Sequence, residues 1–310
     1  RAHAQHPARG RGPTGTLISG CLIAVGHRGG APCSVWPMEE AEQALMAAAG
    51  AGRHNVLAML SDLTAATVFE PGNFGTNRKL WDRYATEWSP TSPWVTRMAE
   101  GSGNRHTLEC VGDEWSGHDD FHHVVDTFIM PYTGSEVDAV EVGVGGGRVA
   151  RRYAGSVRTL HVLDISRVML DKARRVLAGV DHIAYSLQDS NALPGVETAS
   201  VGLLVCFDVL VHCDLHVTMS YLREFCRVLK PGGRAFLSFA DVTSPGGWER
   251  FASQQRASVA GFCFTSPDAV RFLVGKAGLR IVREGQRAED NVYLRRDFLV
   301  VVEPAPPAEA

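Results

Sequence analysis

The residues best placed to do chemistry lie in 141–150, read EVGVGGGRVA. Three alternate glycines, Gly143, Gly145 and Gly147, follow the apolar run at Val137, Ala139 and Val140. They supply positive φ angles and remove the Cβ atoms that would hold backbone away from a ligand. A helix start behind such a loop favours electron-rich groups. Glu141, just before the first glycine, offers an acceptor to an ammonium group. Asp164 closes the next apolar stretch, where a carboxylate accepts from both hydroxyls of a ribose. Spacing then separates two kinds of nucleoside ligand. A dinucleotide fingerprint reads G-x-G-x-x-G. Here the place of its last glycine holds Arg148, so the pattern is acid-x-Gly-x-Gly-x-Gly.

Other residues are candidates by type and place. His212 follows Val209, Leu210 and Val211 and reads equally as a core residue or a base. Asp241 follows an apolar strand, at the sheet edge where ligands collect. Trp81, Tyr84 and Trp88 fall on one helical face, either a packing stripe or a lid over a cleft. Residues 242–265 form an insertion large enough to cover a small pocket, and Trp248 within it is expected as a substrate wall. Cys206 and Cys213 read as core cysteines rather than nucleophiles.

The elements that must carry these groups follow from hydrophobic period. Strands are expected over 157–165, 182–187, 201–207 and 234–240, with helices over 166–177 and 215–229 between them. Residues 121–130 read as a helix ending at Pro131, and 266–277 as a later helix. Strands over 279–284 and 297–302 lie close together with no helix between them, so one is expected to pair antiparallel. The fold class is therefore α/β, a doubly wound, mostly parallel sheet. Residues 37–75 read as a short helical extension and linker, and 304–310 as a frayed tail.

Composition bounds the rest. With 45% hydrophobic and 21% charged residues the chain is an ordinary globular one. A net charge of −3 with no basic block gives no pull toward nucleic acid, and no apolar run is long enough for a membrane span. Seven scattered cysteines without a CxxC pair point to reduced intracellular thiols, not structural zinc, and His122-His123 lacks a third ligand. No metal is expected. Residues 1–36 are basic and acid-free, the composition of disorder or of an organelle transit segment. The expected compartment is the cytoplasm, or a plastid or mitochondrion if that stretch is a transit segment.

Taken in order, EVGVGGG, the acid of LDIS, the acid of LQDS, the apolar LLVCFDVLVH and the turn LKPGG resemble the class I S-adenosylmethionine-dependent methyltransferases over about 76–303. The resemblance implies a seven-stranded Rossmann-like sheet, S-adenosyl-L-methionine as cofactor, and these roles. Glu141 and the backbone of the glycine loop hold the methionine part, and Phe207 lines it. Asp164 takes the ribose, Ile165 or Met169 the adenine ring, and Asp189, with Ser190 beside it, the adenine amino group. Asp208, His212 and His216 face the acceptor, while Trp81 and Tyr84 resemble the family's aromatic helix before the first strand. His212 is the leading candidate for a base, with Asp208 or Asp241 as alternatives. The acceptor is expected to be a small molecule methylated on oxygen, nitrogen or sulfur. Two rivals are a catalytically silent, methyltransferase-like subunit and an NAD-dependent oxidoreductase, the latter disfavoured by Arg148.

Overall fold

The alternating apolar and amphipathic segments build one seven-stranded sheet with helices on both faces. A computed structural model describes residues 15–18, 21–24, 74–254 and 261–306. The chain divides into Arg1–Phe69 and Glu70–Ala310. In the first unit β1 (Gly15–Ile18) and β2 (Cys21–Ala24) pair antiparallel, from Gly15↔Ala24 to Ile18↔Cys21. Apart from this hairpin and the residues from Phe74 onward, the segments 1–36 and 37–75 lie outside the described residues, as do 307–310.

In the second unit α1 (Phe74–Glu87) and α2 (Pro93–Gly101) lead to α3 (His118–Phe128). Then come β3 (Gly134–Val142), α4 (Ala150–Tyr153), β4 (Val157–Asp164), α5 (Arg167–Val176) and β5 (Ile183–Leu187). The chain continues through β6 (Val201–Cys206), α6 (Leu215–Val228), β7 (Leu229–Ala240), α7 (Pro245–Ser253) and α8 (Pro267–Lys276). It closes with β8 (Leu279–Glu284), α9 (Val292–Arg296) and β9 (Asp297–Pro304). The strand order is β5-β4-β3-β6-β7-β9-β8. The first five run parallel, and β9 is antiparallel to both β7 and β8. The order turns back at β3, whose neighbours β4 and β6 leave a crevice at their carboxyl ends.

Period-two alternation divides the core between the faces. Leu204 and Cys206 pack with Leu222 and Phe225 of α6, whereas Leu203 and Val205 pack with Val124 and Phe128 of α3. The helices start on their own caps: Ser166 Oγ accepts from the Met169 N–H at 3.2 Å, and Asp214 caps α6.

Several elements depart from expectation. The helix behind the glycine loop is short, giving way after Tyr153 to a tighter turn at Ala154–Ser156. LKPGG lies inside β7 as a bulge: Leu229 pairs with Val201 and Arg234 with Leu203, so residues 230–233 loop out. No element was expected over 89–120, where α2 lies with its Val95 and Ala99 buried one turn apart. A helix, α9, does sit between the last two strands, capped by Asn291 Oδ1 on the Tyr293 and Leu294 N–H groups. No helix among the described residues is long and apolar enough to cross a membrane.

Candidate active site

The glycine loop is stitched to β4 where β3 ends. Both the Gly143 and Val144 N–H groups donate to the Leu163 carbonyl, at 2.8 and 3.1 Å. Gly143 has φ 73°, and a Cβ there would come 2.3 Å from Val209 Cγ2. Gly145 has φ 53° and faces open space. At Gly147 a Cβ would instead meet Ala173 and Val176 of α5 at 3.4 Å, so this glycine serves packing and does not line the cleft. Gly146, outside the alternate pattern, is equally constrained, since a Cβ would come 2.8 Å from Val111. Gly143→Ala should therefore cost about 1–3 kcal/mol of stability through strain and overpacking, read by denaturant unfolding.

Asp164 organises the crevice. Its Oδ2 accepts from the Gly145 N–H and its Oδ1 from the Ser166 N–H, each at 2.8 Å. Burial pushes its carboxyl up to about 6, against the pull of those N–H groups. An open cleft of about 860 Å3 runs past Asp164, Ile165, Met169 and Gln188 to Phe207 and Asp208. Helix α1 covers it with Phe74, Asn77 and Trp81. That helix is fastened by Asn77 Nδ2 to the His212 carbonyl at 2.7 Å and by Asp82, which accepts from Ser166 Oγ at 2.6 Å. Farther along, Tyr84 Oη donates to buried Glu114 at 2.6 Å and accepts from Trp115 Nε1 at 2.8 Å.

A second cavity, of about 1340 Å3, shares Trp81, Trp115, Asp208 and His212 with the cleft. Its other walls include Tyr84, Phe262, Tyr293 and Arg296. His212 places Nδ1 at 2.8 Å from the Gly261 carbonyl. A carbonyl only accepts, so Nδ1 carries the proton and Nε2 is the basic nitrogen. The ring sits edge-on to Trp81 and Phe262, and burial pushes its pKa down to about 4. Asp208 adopts φ 56°, rare for a residue with a side chain. Its Oδ1 is buried without a hydrogen-bond partner, 3.6 Å from Arg296. Burial raises its carboxyl, while Arg296 and Arg148 pull the other way.

Other expected site residues stand elsewhere. Glu141 lies beneath the loop rather than in the cleft; it accepts from Tyr153 Oη at 2.8 Å, and burial pushes it up to about 8. Asp189 and Ser190 are exposed. The Gln188 N–H donates to the Asp164 carbonyl at 2.8 Å, and Gln188, one residue earlier, lines the cleft. His216 is exposed on the first turn of α6, its N–H taken by the Asp214 cap. Asp241 is buried but lines neither cavity: Thr243 occupies its Oδ1 and Arg287 its Oδ2, at 2.8 Å. Trp248 is 58% exposed and packs on Phe251. The opposite face of α7, with Gly246, Glu249, Arg250 and Ser253, lines the larger cavity instead.

Sequence reasoning missed Arg148, Glu114, Tyr293 and Arg296 as wall residues. Arg148 was read only as a broken glycine pattern. Its guanidinium lies 4.0 Å from the centre of the Phe121 ring and donates to Ser116 Oγ at 2.8 Å and Tyr293 Oη at 3.1 Å. A charged residue straight after a glycine-rich loop was the available signal.

The open backbone at Gly145, the Asp164 carboxylate and the apolar Ile165 and Met169 fit a nucleoside. Comparison with known proteins agrees. A family model described as a methyltransferase domain matches residues 139–233. Ubiquinone biosynthesis O-methyltransferase of Xanthomonas oryzae pv. oryzae (strain PXO99A) is 26% identical over 158 residues, covering 46% of this chain and 64% of the relative. The chain thus spans a little under two thirds of the length of the curated relatives it matches. Geranyl diphosphate C-methyltransferase of Streptomyces coelicolor A3(2), bound to magnesium, geranyl-S-thiolodiphosphate and S-adenosyl-L-homocysteine, superposes with a TM-score of 0.54 at 14% identity, covering 74% of this chain and 98% of that one. A chain of the complex between the Haloferax volcanii Trm112 methyltransferase activator and the putative methyltransferase gives 0.53 at 17% identity, covering 73% and 98%. At such identities these two speak for the fold.

Proposed function

We propose that the chain is a class I S-adenosylmethionine-dependent methyltransferase, as its methyltransferase-domain match and curated relative support, and that it methylates a small molecule held in the larger cavity. The observation that carries this reading is the set of four residues, Trp81, Trp115, Asp208 and His212, that line both cavities. Reacting atoms brought from the two sides meet there. S-adenosylmethionine supplies an electrophilic methyl group on a sulfonium and leaves as S-adenosylhomocysteine.

What remains for the protein is alignment and one proton. Asp164 accepts from the ribose hydroxyls, and Ile165 and Met169 flank the adenine. Gln188 takes the place first given to Asp189 and Ser190. The backbone at Gly143 and Gly145, with Phe207, borders the methionine part. Trp81 and Tyr84 form the acceptor wall with Phe262 and Tyr293, which suits a flat body. His212 receives the acceptor's proton on Nε2 while the Gly261 carbonyl keeps its ring oriented. A proton-bearing nucleophile is thereby favoured, and the curated relative's oxygen chemistry supports a hydroxyl.

The test is a screen of hydroxyl, amine and thiol acceptors with methyl-labelled cofactor, beside calorimetry with S-adenosylhomocysteine and NAD. Label transfer to a small hydroxyl compound, with S-adenosylhomocysteine bound and NAD ignored, is the expected result. Homocysteine-cofactor binding with no transfer across the whole screen would turn the reading to a silent subunit. NAD binding alone would turn it to an oxidoreductase.

A further inference from the structure

One peptide group joins the buried His212 ring to Gln254, the residue that closes α7. The Gly261 carbonyl that meets His212 Nδ1 at 2.8 Å is one end of the Gly261–Phe262 peptide. At its other end the Phe262 N–H donates to Gln254 Oε1 at 2.6 Å. The same carboxamide then returns a donor, Gln254 Nε2 reaching the Phe262 carbonyl at 2.9 Å. Only one orientation of the carboxamide sets an acceptor on that N–H and a donor on that carbonyl.

A peptide group is planar, so a partner that fixes its N–H end also fixes the direction of its C=O end. Gln254 is itself anchored, because its backbone N–H donates to the Arg250 and Phe251 carbonyls at the end of α7. The segment it holds flanks the histidine on two further sides. Phe262 meets the His212 ring edge-on with centres 5.3 Å apart, and the Cys263 N–H donates to the Val211 carbonyl at 2.8 Å. Hydrogen bonds in line polarise one another. An N–H drawn toward Gln254 makes the Gly261 carbonyl a stronger acceptor, which keeps the proton on Nδ1 and the lone pair on Nε2.

We propose that Gln254 is a positioning residue for methyl transfer, holding His212 through the Gly261–Phe262 peptide in the tautomer and orientation that leave Nε2 basic. Gln254 is half-buried and lines neither cavity, so it acts only through the histidine. The inference rests on the reading of His212 as the base and deepens it.

The experiment substitutes Gln254→Leu in the full chain, which removes both hydrogen bonds at nearly the same volume. Nitrogen NMR of histidine-labelled protein near pH 7 reads the imidazole directly, the His212 signals being those lost in His212→Asn. The parent should carry its proton on Nδ1, and Gln254→Leu should show a mixture of the two tautomers. Single-turnover methyl transfer should slow by on the order of tenfold, the scale of two hydrogen bonds, with S-adenosylhomocysteine affinity within about twofold of the parent. In a His212→Asn background the same substitution should cost less than about twofold more, since the group it positions is gone. Gln254→Ala carries the same measurements if the leucine variant does not fold. An active parent whose His212 tautomer is unchanged by the substitution overturns the inference alone. A full tenfold loss in the His212→Asn background, or a parallel loss of S-adenosylhomocysteine affinity, also overturns it, by showing a structural role. A parent inert toward every acceptor overturns the methyltransferase reading and this inference with it.

Discussion

Asp164→Ala is expected to lower S-adenosylhomocysteine affinity by on the order of a hundredfold, a larger loss than one missing ligand contact explains. The carboxylate does two things at once. It accepts from Gly145 and Ser166, so it fixes the loop and the start of α5 before any ligand arrives. On the proposed reading its remaining lone pairs serve the ribose. Alanine removes both, and water entering the crevice restores only part of the loop's hydrogen bonding. Asp189→Ala is the matched control, because that side chain is exposed and away from the cleft, so affinity there should stay within about twofold. Acid should mimic the substitution. Burial raises the Asp164 carboxyl to about 6, so affinity should fall as pH drops through that value. Calorimetry across pH 5 to 8, roughly the range in which such a carboxyl titrates, reads both effects. Unchanged binding by Asp164→Ala would sink the ribose assignment.

The sheet was legible because its signals are local and repeated. Apolar runs such as Val201–Cys206 and caps such as Ser166 and Asp214 state their own structure. That residues at the carboxyl ends of β4 and β6 line the cleft was legible for the same reason, since strand ends can be read directly. What escaped depended on phase or on distant partners. Trp248 and Arg250 lie two residues apart, and only the start of α7 at its Ser244 cap decides which faces the cavity. One residue separates Gln188, inside, from Asp189, outside. Asp241 looked available until Arg287, far along the chain, closed on it. Glu141 was likewise claimed by Tyr153. The five residues of α9 were too few to show a period.

Helix α1 reaches both cavities through Trp81. Asn77 holds the His212 carbonyl, and Trp81, one turn on, meets the His212 ring edge-on with centres 5.1 Å apart. One helix thus fixes the backbone and the ring face of the same histidine. Tyr84 ties the next turn to Glu114 and Trp115, so the same helix is also anchored to a wall of the larger cavity.

His212→Asn should therefore reduce kcat by about a hundred- to ten-thousandfold, with S-adenosylhomocysteine affinity within about threefold of the parent. The asparagine keeps a donor for the Gly261 carbonyl and the approximate shape against Trp81 and Phe262. It removes the basic nitrogen. The imidazole's pH behaviour supplies a second readout. Burial lowers its pKa from 6.5 to about 4, so at pH 7 it stands neutral and able to accept a proton. The unfolded chain binds a proton at this site over that window and the folded one does not. Stability should fall as pH drops from 6.5 toward 4, and His212→Asn should flatten that slope. Denaturant unfolding at a series of pH values measures the slope, and single-turnover methyl transfer measures the chemical step. An unchanged turnover beside a flattened slope would mean that the histidine is buried as placed and that the acceptor reaches the methyl group already deprotonated.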